Sequence, residues 1–492
     1  MLRKSGILLH ITSLPSPHGI GTLGREAFAF AEFLHAARQR YWQMLPIGPT
    51  GFGDSPYQSF SAFAGNPYLI DLTRLTQDGL LDPGEADAVH WGCDARRVDY
   101  NALFKHRSTL LRNAYRRGYV RDAAQVDEFV RENAHWLPDY ALFMALKSHF
   151  SMRAWTEWDD DIRLRKPEAL VQYRELLFED IQFHTYVQYL FFTQWAALKS
   201  HCESLDLQLI GDLPIYVALD SADVWAQPEN YLLDEARRPL YVGGVPPDYF
   251  CATGQLWGNP IYDWAHMREN GYAWWMRRIQ ASASLFGVLR IDHFRGLDSY
   301  WRIPYGDETA INGEWISGPG LGFVRALKES FPDLSIIAED LGFLTEDVQT
   351  LLKSAGYPGM RVLQFAFDSR EESPYLPHTY EPHCVCYTGT HDNNTAAGWI
   401  REGDPEAVGY ACEYLGLNAQ EGLHWGIIRG GMSSVAKLFI AQMQDYLGLD
   451  AQARMNIPST LGGNWQWRML PGEADTALSE KIARYTKMYG RG

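Results

Sequence analysis

The 492-residue chain is poor in cysteine, short of positive charge and without long apolar runs. Its six cysteines (Cys93, Cys202, Cys251, Cys384, Cys386, Cys412) are scattered and show no repeated C-x-x-C spacing, so nothing marks a structural zinc site. Cys384 and Cys386 share one face of an expected strand and read as buried free thiols rather than a metal pair. With 44 basic against 60 acidic residues, the net charge of -16 has the wrong sign for a phosphate backbone or an anionic membrane, which excludes nucleic acid and membrane partners. No apolar run reaches membrane length, and Met1-Leu-Arg-Lys-Ser5 leads into structure without a signal h-region, so a reducing, cytoplasmic location is expected. The Asn393-Asn394-Thr395 sequon then has no glycosylation role. Internal repeats, low-complexity tracts and linkers are also missing, so residues 1–492 are expected to form one domain.

Aromatic residues, by contrast, are abundant: 14% of the chain, with 17 Trp and 27 Tyr. Flat amphipathic rings beside carboxylates suit sugars, whose C–H faces stack on them while their hydroxyls seek hydrogen bonds. Packing between helices is the blander use of the same residues.

The strand signals are short apolar runs that stop in polar or charged residues. Ile7–His10 comes first, followed by a helical stripe of Phe30, Phe33, Leu34 and Ala37, then Tyr41–Ile47. Gly51-Phe-Gly-Asp54-Ser55-Pro56-Tyr57 superficially resembles a phosphate cradle but lacks the following Gly-Lys-Ser/Thr, and it suits a loop above a pocket. Residues 70–200 keep a helical period, seen in Leu137–Phe150 and in Val187, Leu190, Phe191 and Leu198, and read as a helical insert between the second and third strands. Strands resume at Leu207–Tyr216, with Asp212 near its end; residues 217–275 follow as a loop-rich insert carrying Tyr249, Phe250 and Trp257. Val288–Asp292, Leu334–Glu339, Arg361–Phe367, Val385–Asp392 and Arg454–Ile457 complete a count of eight. Eight parallel strands with interleaved helices close naturally into an α/β fold, the (β/α)8 TIM barrel.

Three of these strands end in an acid: Asp292, Glu339 and Asp392, spaced 47 and 53 residues apart, or about one β-α unit each. In a barrel all three would meet at the C-terminal mouth, where such folds place their chemistry. In Gly287–Gly296 the period-two alternation puts Val288, Arg290 and Asp292 on one face and Leu289 and Ile291 on the other, so the inward face turns ionic at its tip. Taken alone, that tip could be a surface ion pair. Asp292, His293, Glu339, His391 and Asp392 could also assemble around a metal, although Arg290 would compete with a cation for Asp292. The other chemistry is glycosidic: one carboxylate attacks the anomeric carbon and a protonated partner serves the leaving oxygen. Arg290 would then keep Asp292 ionised, negative neighbours would push the Glu339 pKa up, and His293 and His391 would bind sugar hydroxyls.

In these motifs the chain resembles the amylomaltases, the 4-α-glucanotransferases of glycoside hydrolase family 77 in the clan of the α-amylases. The resemblance runs from Gly6-Ile-Leu-Leu-His10 through Gly211–Tyr216, Pro246–Phe250, Arg290–Arg295, Ala338–Gly342 and Gly389–Asn394 to Asn464-Trp-Gln-Trp467. It implies that Asp292 is the nucleophile, Glu339 the general acid/base and Asp392 the transition-state stabiliser. It further implies that Arg290, His293 and His391 line the donor subsite, that Tyr57, Trp257, Tyr249 and Phe250 bind the glucan, and that Tyr100, Asp212 and Asn464 stand nearby. No metal, cofactor or C-terminal β-sandwich is implied. Donor and acceptor would be α-1,4-glucans and maltooligosaccharides, with glucose also an acceptor, and the chain would be a monomer or weak homodimer. Cys251 departs from the serine that many family members carry, which bears on chain-length preference rather than on chemistry. A hydrolytic amylase-like enzyme and an inactive α-glucan-binding protein are the competing readings.

Overall fold

The computed structural model describes residues 3–51, 53–247, 251–342, 344–368, 373–460 and 462–492. Eight parallel strands organise it: β1 Lys4–Leu8, β2 Tyr41–Gln43, β3 Gln208–Leu213, β4 Val288–Ile291, β5 Ser335–Ala338, β6 Gly359–Val362, β7 Cys384–Tyr387 and β8 Leu438–Gln442. They pair in the order β6-β7-β8-β1-β2-β3-β4-β5. Every residue of β4, β7 and β8 is buried, because helices cover the outside and side chains fill the inside. Cys384 and Cys386 are both free and buried in β7, where burial pushes their thiols up to about 11 and about 12.

The ring closes between β5 and β6 with few backbone bonds. Ala338 N–H donates to Pro358 O at 3.0 Å, and the buried Asp340 carboxylate accepts from Met360 N–H at 2.6 Å and from Arg361 Nη1 at 3.2 Å. A side chain here supplies what a ladder supplies elsewhere in the ring.

Seven strands overlap the predicted runs, although Arg361–Phe367 shares only two residues with β6 and continues as the 3-10 helix Leu363–Phe365, and β7 stops at Tyr387 instead of Asp392; the eighth is elsewhere. Arg454–Ile457 is a loop following the 3-10 turn Ala451–Ala453, and the eighth strand is Leu438–Gln442, between β7 and β1. Leu438-Phe-Ile-Ala is an apolar run too short for periodicity to separate strand from helix, and it lies just after the helix Leu423–Ser433. In the loop, Arg454 N–H bonds Ala451 O at 3.1 Å and Asn456 N–H bonds His391 O at 3.2 Å, which commits both groups locally and to the barrel mouth.

Between β2 and β3 the chain is largely helical, and its longest helix, Phe178–Ser204, buries Val187, Leu190, Phe191 and Leu198 on the predicted stripe. Two buried amides on that helix hold the segment after β2. Gln188 accepts from Gly65 N–H at 2.8 Å and donates back to Gly65 O at 3.0 Å, while Gln194 accepts from Asp71 N–H at 2.7 Å. The loop bearing Tyr57 is thereby fixed over the barrel. The stretch read as loop-rich contains two strands, Tyr241–Val245 and Gln255–Pro260, in an antiparallel sheet with Ser299–Pro304 and Glu314–Ser317. Two of those four strands lie after β4, so the sheet is non-local, and its glycine- and proline-rich strands carry weak local signals.

Asp340→Ala removes the acceptor at the barrel seam and leaves the Met360 N–H unpaired in the interior. A loss of about 1–3 kcal/mol is expected in urea denaturation, and a variant as stable as the parent would show that the seam does not depend on this carboxylate.

Candidate active site

The register of β3 on β4 sets Asp212 directly opposite Arg290, and the register of β4 on β5 brings Ile291 opposite Ala338, so Asp292 and Glu339 leave the barrel side by side. Arg290 Nη1 donates to both oxygens of Asp212, at 2.6 and 2.7 Å, and to Asp292 Oδ1 at 2.9 Å. The Asp212 side chain is 0% exposed and that of Arg290 4%, whereas Asp292 is 28% exposed. Burial alone would weaken the guanidinium's hold on its proton, but Asp212 and Asp292 outweigh it and keep Arg290 firmly charged.

Glu339 is held by backbone donors. Its Oε2 accepts from His293 N–H at 2.7 Å and its Oε1 from Leu341 N–H at 2.9 Å. Its pKa is pushed up to about 7, chiefly by burial; Asp292 adds to the rise, while Arg290 and the two N–H groups oppose it. The predicted direction holds, but enclosure contributes more than negative neighbours do. His293 adopts a left-handed backbone, φ 50°, which aims its N–H at Glu339 and turns the chain into the 3-10 helix Phe294–Leu297. Burial lowers its imidazole to about 4, so it is neutral at pH 7, and its ring meets the Trp257 ring edge-on at 4.9 Å.

Asp392 stands on the loop after β7. That loop is tied at both ends by buried Asp445, which accepts from Thr388 Oγ1 at 2.5 Å and Ala396 N–H at 2.7 Å. The Asp392 side chain is 43% exposed; its Oδ1 lies 3.3 Å from His391 Nε2 and accepts from Asn456 Nδ2 at 2.6 Å. Enclosure in the mouth would raise its pKa, but His391 and Asn456 hold it down at about 2. Burial likewise would lower the His391 pKa, and the contact with Asp392 more than reverses that. The Tyr57 ring stacks on His391 at 5.1 Å and its hydroxyl donates to Asp212 at 2.8 Å, so one phenol joins the Asp392 side of the mouth to the Asp292 side.

Asp212, Arg290, Asp292, Tyr57, His391 and Asp392 therefore form one connected network, with Glu339, His293 and Trp257 beside it. Because Asp212 is wholly covered, it holds Arg290 and Tyr57 from behind. Tyr100 is more remote and donates to Trp465 O at 2.9 Å. Asn464 is half-buried and closes its own loop, accepting from Ile457 N–H at 3.0 Å and donating to Thr460 O at 3.2 Å. Tyr249 and Phe250 lie outside the described residues. Three contributors escaped the sequence reading. Trp465 is buried with its ring 5.9 Å from both Tyr57 and His391, while Arg454 and Asn456 bond the Asp392 backbone and side chain. Trp465 sits inside the Asn464–Trp467 motif that had singled out only its asparagine; the other two were hidden by the strand assignment. Among the described residues no group of three or more His, Cys, Asp or Glu side chains could hold a metal, and no helix is long and apolar enough to cross a membrane.

A parallel barrel whose mouth sets an arginine-bound carboxylate beside a carboxyl group with a pKa near 7, edged by aromatic rings, has the equipment of a glycosidic-bond enzyme. The family profile described as 4-alpha-glucanotransferase matches residues 9–473, and the chain belongs to that family, glycoside hydrolase family 77. It is 48% identical to the 4-alpha-glucanotransferase of Clostridium butyricum, across 98% of this chain and 100% of that one. It is 47% identical to the 4-alpha-glucanotransferase of Thermus thermophilus, across 96% and 95% of the two chains. Among solved structures it is similar to the amylomaltase from Streptococcus agalactiae in complex with acarbose, at 42% identity and a TM-score of 0.97 over 100% of both chains.

The raised Glu339 pKa has a stability consequence. A carboxyl group with a folded-state pKa above its unfolded value favours the fold below the unfolded value, and that advantage is lost as pH rises through about 7. Glu339→Gln is therefore expected to be more stable than the parent at pH 8 by about 3 kcal/mol and near parity at pH 4. Urea denaturation at both pH values measures it, and equal differences at the two would contradict the assignment.

Proposed function

We propose that the chain transfers an α-1,4-glucan segment to the 4-hydroxyl of a second glucan, or of glucose, by a retaining double displacement at this mouth. The family membership supports glucan transglycosylation, and the residue roles are our reading of the geometry. Glu339 gives its proton to the glycosidic oxygen as that bond breaks, and an Asp292 oxygen bonds the anomeric carbon. The reducing-end fragment leaves. The acceptor hydroxyl then gives its proton to Glu339 while its oxygen displaces Asp292, restoring the α-linkage. Asp392 stabilises the charge that develops on the sugar in both transition states. Arg290, His293, His391, Tyr57 and Trp257 shape the donor subsite; Tyr100 and Asn464 serve the glucan chain farther out; Tyr249 and Phe250 belong, by family resemblance, to its binding residues; and Asp212 acts through Arg290 and Tyr57.

The observation that carries this is the pairing of Asp292, bonded to Arg290 at 2.9 Å, with a neighbouring Glu339 that retains its proton up to about pH 7. One carboxyl is presented for attack and the other for proton donation, as a retaining pair requires. We read residues 1–492 as one catalytic barrel with inserts at 70–200 and 217–275, working in the cytoplasm as a monomer or weak homodimer.

Incubation with maltotriose tests the function. Transfer yields glucose and longer oligomers while total reducing ends stay constant; a steady rise in reducing ends would mark a hydrolase, and no change in either a binding protein. Asp292→Asn is expected to abolish turnover in a folded protein, and near-normal turnover would overturn its role as nucleophile. Because Glu339 must be protonated to donate, kcat/KM is expected to fall as pH rises through about 7.

A further inference from the structure

The segment Arg454–Ile457 forms no strand and is spent on one acid. Arg454 Nη2 donates to the Asp392 carbonyl, Arg454 Nε donates to Asn456 O at 2.7 Å, and Asn456 N–H donates to His391 O at 3.2 Å. The Asn456 peptide is thus pinned against the His391–Asp392 peptide before its side chain is counted. That side chain donates from Nδ2 to Asp392 Oδ1 at 2.6 Å, on the same oxygen that faces His391 Nε2. No hydrogen bond from the described residues reaches Oδ2, on a carboxylate that is 43% exposed. A half-exposed aspartate held only through its backbone would leave its carboxylate free to rotate about its terminal torsion, which has broad wells. The Asn456 hydrogen bond and the ion-pair contact with His391, both on Oδ1, restrict that rotation and leave Oδ2 as the oxygen without a side-chain hydrogen bond from the described residues.

We propose that Asn456 is a positioning residue for the reaction: its amide occupies Asp392 Oδ1 and turns Oδ2 toward the sugar in the donor subsite. This rests on the reading of Asp392 as the acid that stabilises the transition state. Asn456 acts through Asp392 and does not itself meet the reacting atoms. Its effect belongs to the transition state, where a small error of placement is costly, more than to ground-state binding. The same peptide continues into the loop closed by Asn464, whose side chain accepts from Ile457 N–H at 3.0 Å, so the acid is also tied to an exposed loop at the rim.

The test compares the full-length parent with Asp392→Asn, Asn456→Ala and Asn456→Asp on maltotriose, with circular dichroism and urea midpoints to establish folding. Asn456→Ala is expected to lower kcat by about 10²-fold with KM within about threefold of the parent. Asn456→Asp keeps the volume but replaces the donor with a like charge, so its kcat is expected to fall further. A packing role reverses that order, since the isosteric variant would then be the milder one. With Asp392→Asn inactive, a kcat near the parent's in Asn456→Asp, or a kcat above that of Asn456→Ala, overturns the proposal. If the alanine variant does not fold, the kcat of Asn456→Asp decides alone. Turnover at the parent's rate in Asp392→Asn would instead overturn the reading of Asp392, and the positioning role with it.

Discussion

One guanidinium nitrogen, Arg290 Nη1, touches three carboxylate oxygens within 2.9 Å, and the mouth of the barrel is arranged around that contact. An arginine this deep in a barrel is tolerable only with full compensation, because an unpaired buried charge costs several kcal/mol. Asp212, opposite it in the ladder and wholly covered, provides the compensation. That pair leaves Arg290 one short contact to Asp292, the partly exposed member of the three. The strand register thus decides which aspartate is wholly covered and which is partly exposed at the mouth.

The two remaining acids are set by different devices. Glu339 depends on backbone donors and enclosure, which together let it keep a proton near neutral pH. Asp392 depends on side chains, His391 and Asn456, which keep it ionised. Carboxyl groups of one chemical kind therefore sit at opposite protonation states across one opening, and their environments make the difference. Tyr57 spans the two sides, and the loop that carries it is clamped by the buried Gln188 and Gln194 of the long helix Phe178–Ser204. The long helix thereby contributes to the site without supplying a residue to it.

Most of the barrel was legible because its strands are short apolar runs punctuated by polar residues, and the acids that follow them, Asp292 and Glu339 directly and Asp392 after a short loop, announced the mouth as well. The eighth strand was not, since Leu438-Phe-Ile-Ala reads equally as strand or helix until β7 and β1 leave a gap for it. The antiparallel sheet was missed because its partners are distant in the chain. At the site, residue types with obvious chemistry were found, while Asn456, Arg454 and Trp465 were not: an amide, a guanidinium and an indole acquire a role only through what they touch.

The sequence by itself determined the chemistry available: three acids that follow strand runs, two of them directly and Asp392 after a short loop, an arginine two residues before one of them, histidines beside two, and the alternation that turns Arg290 and Asp292 to the same face. Those follow from covalent order and the period of a strand. Tertiary structure decided the rest, because burial and distance are properties of the closed barrel and not of any segment. It assigned Asp212 to support, raised Glu339 by enclosure, and brought Asn456, 64 residues along the chain, onto Asp392. It also made the ring itself, by placing Leu438–Gln442 in the gap and the Asp340 side chain at the seam.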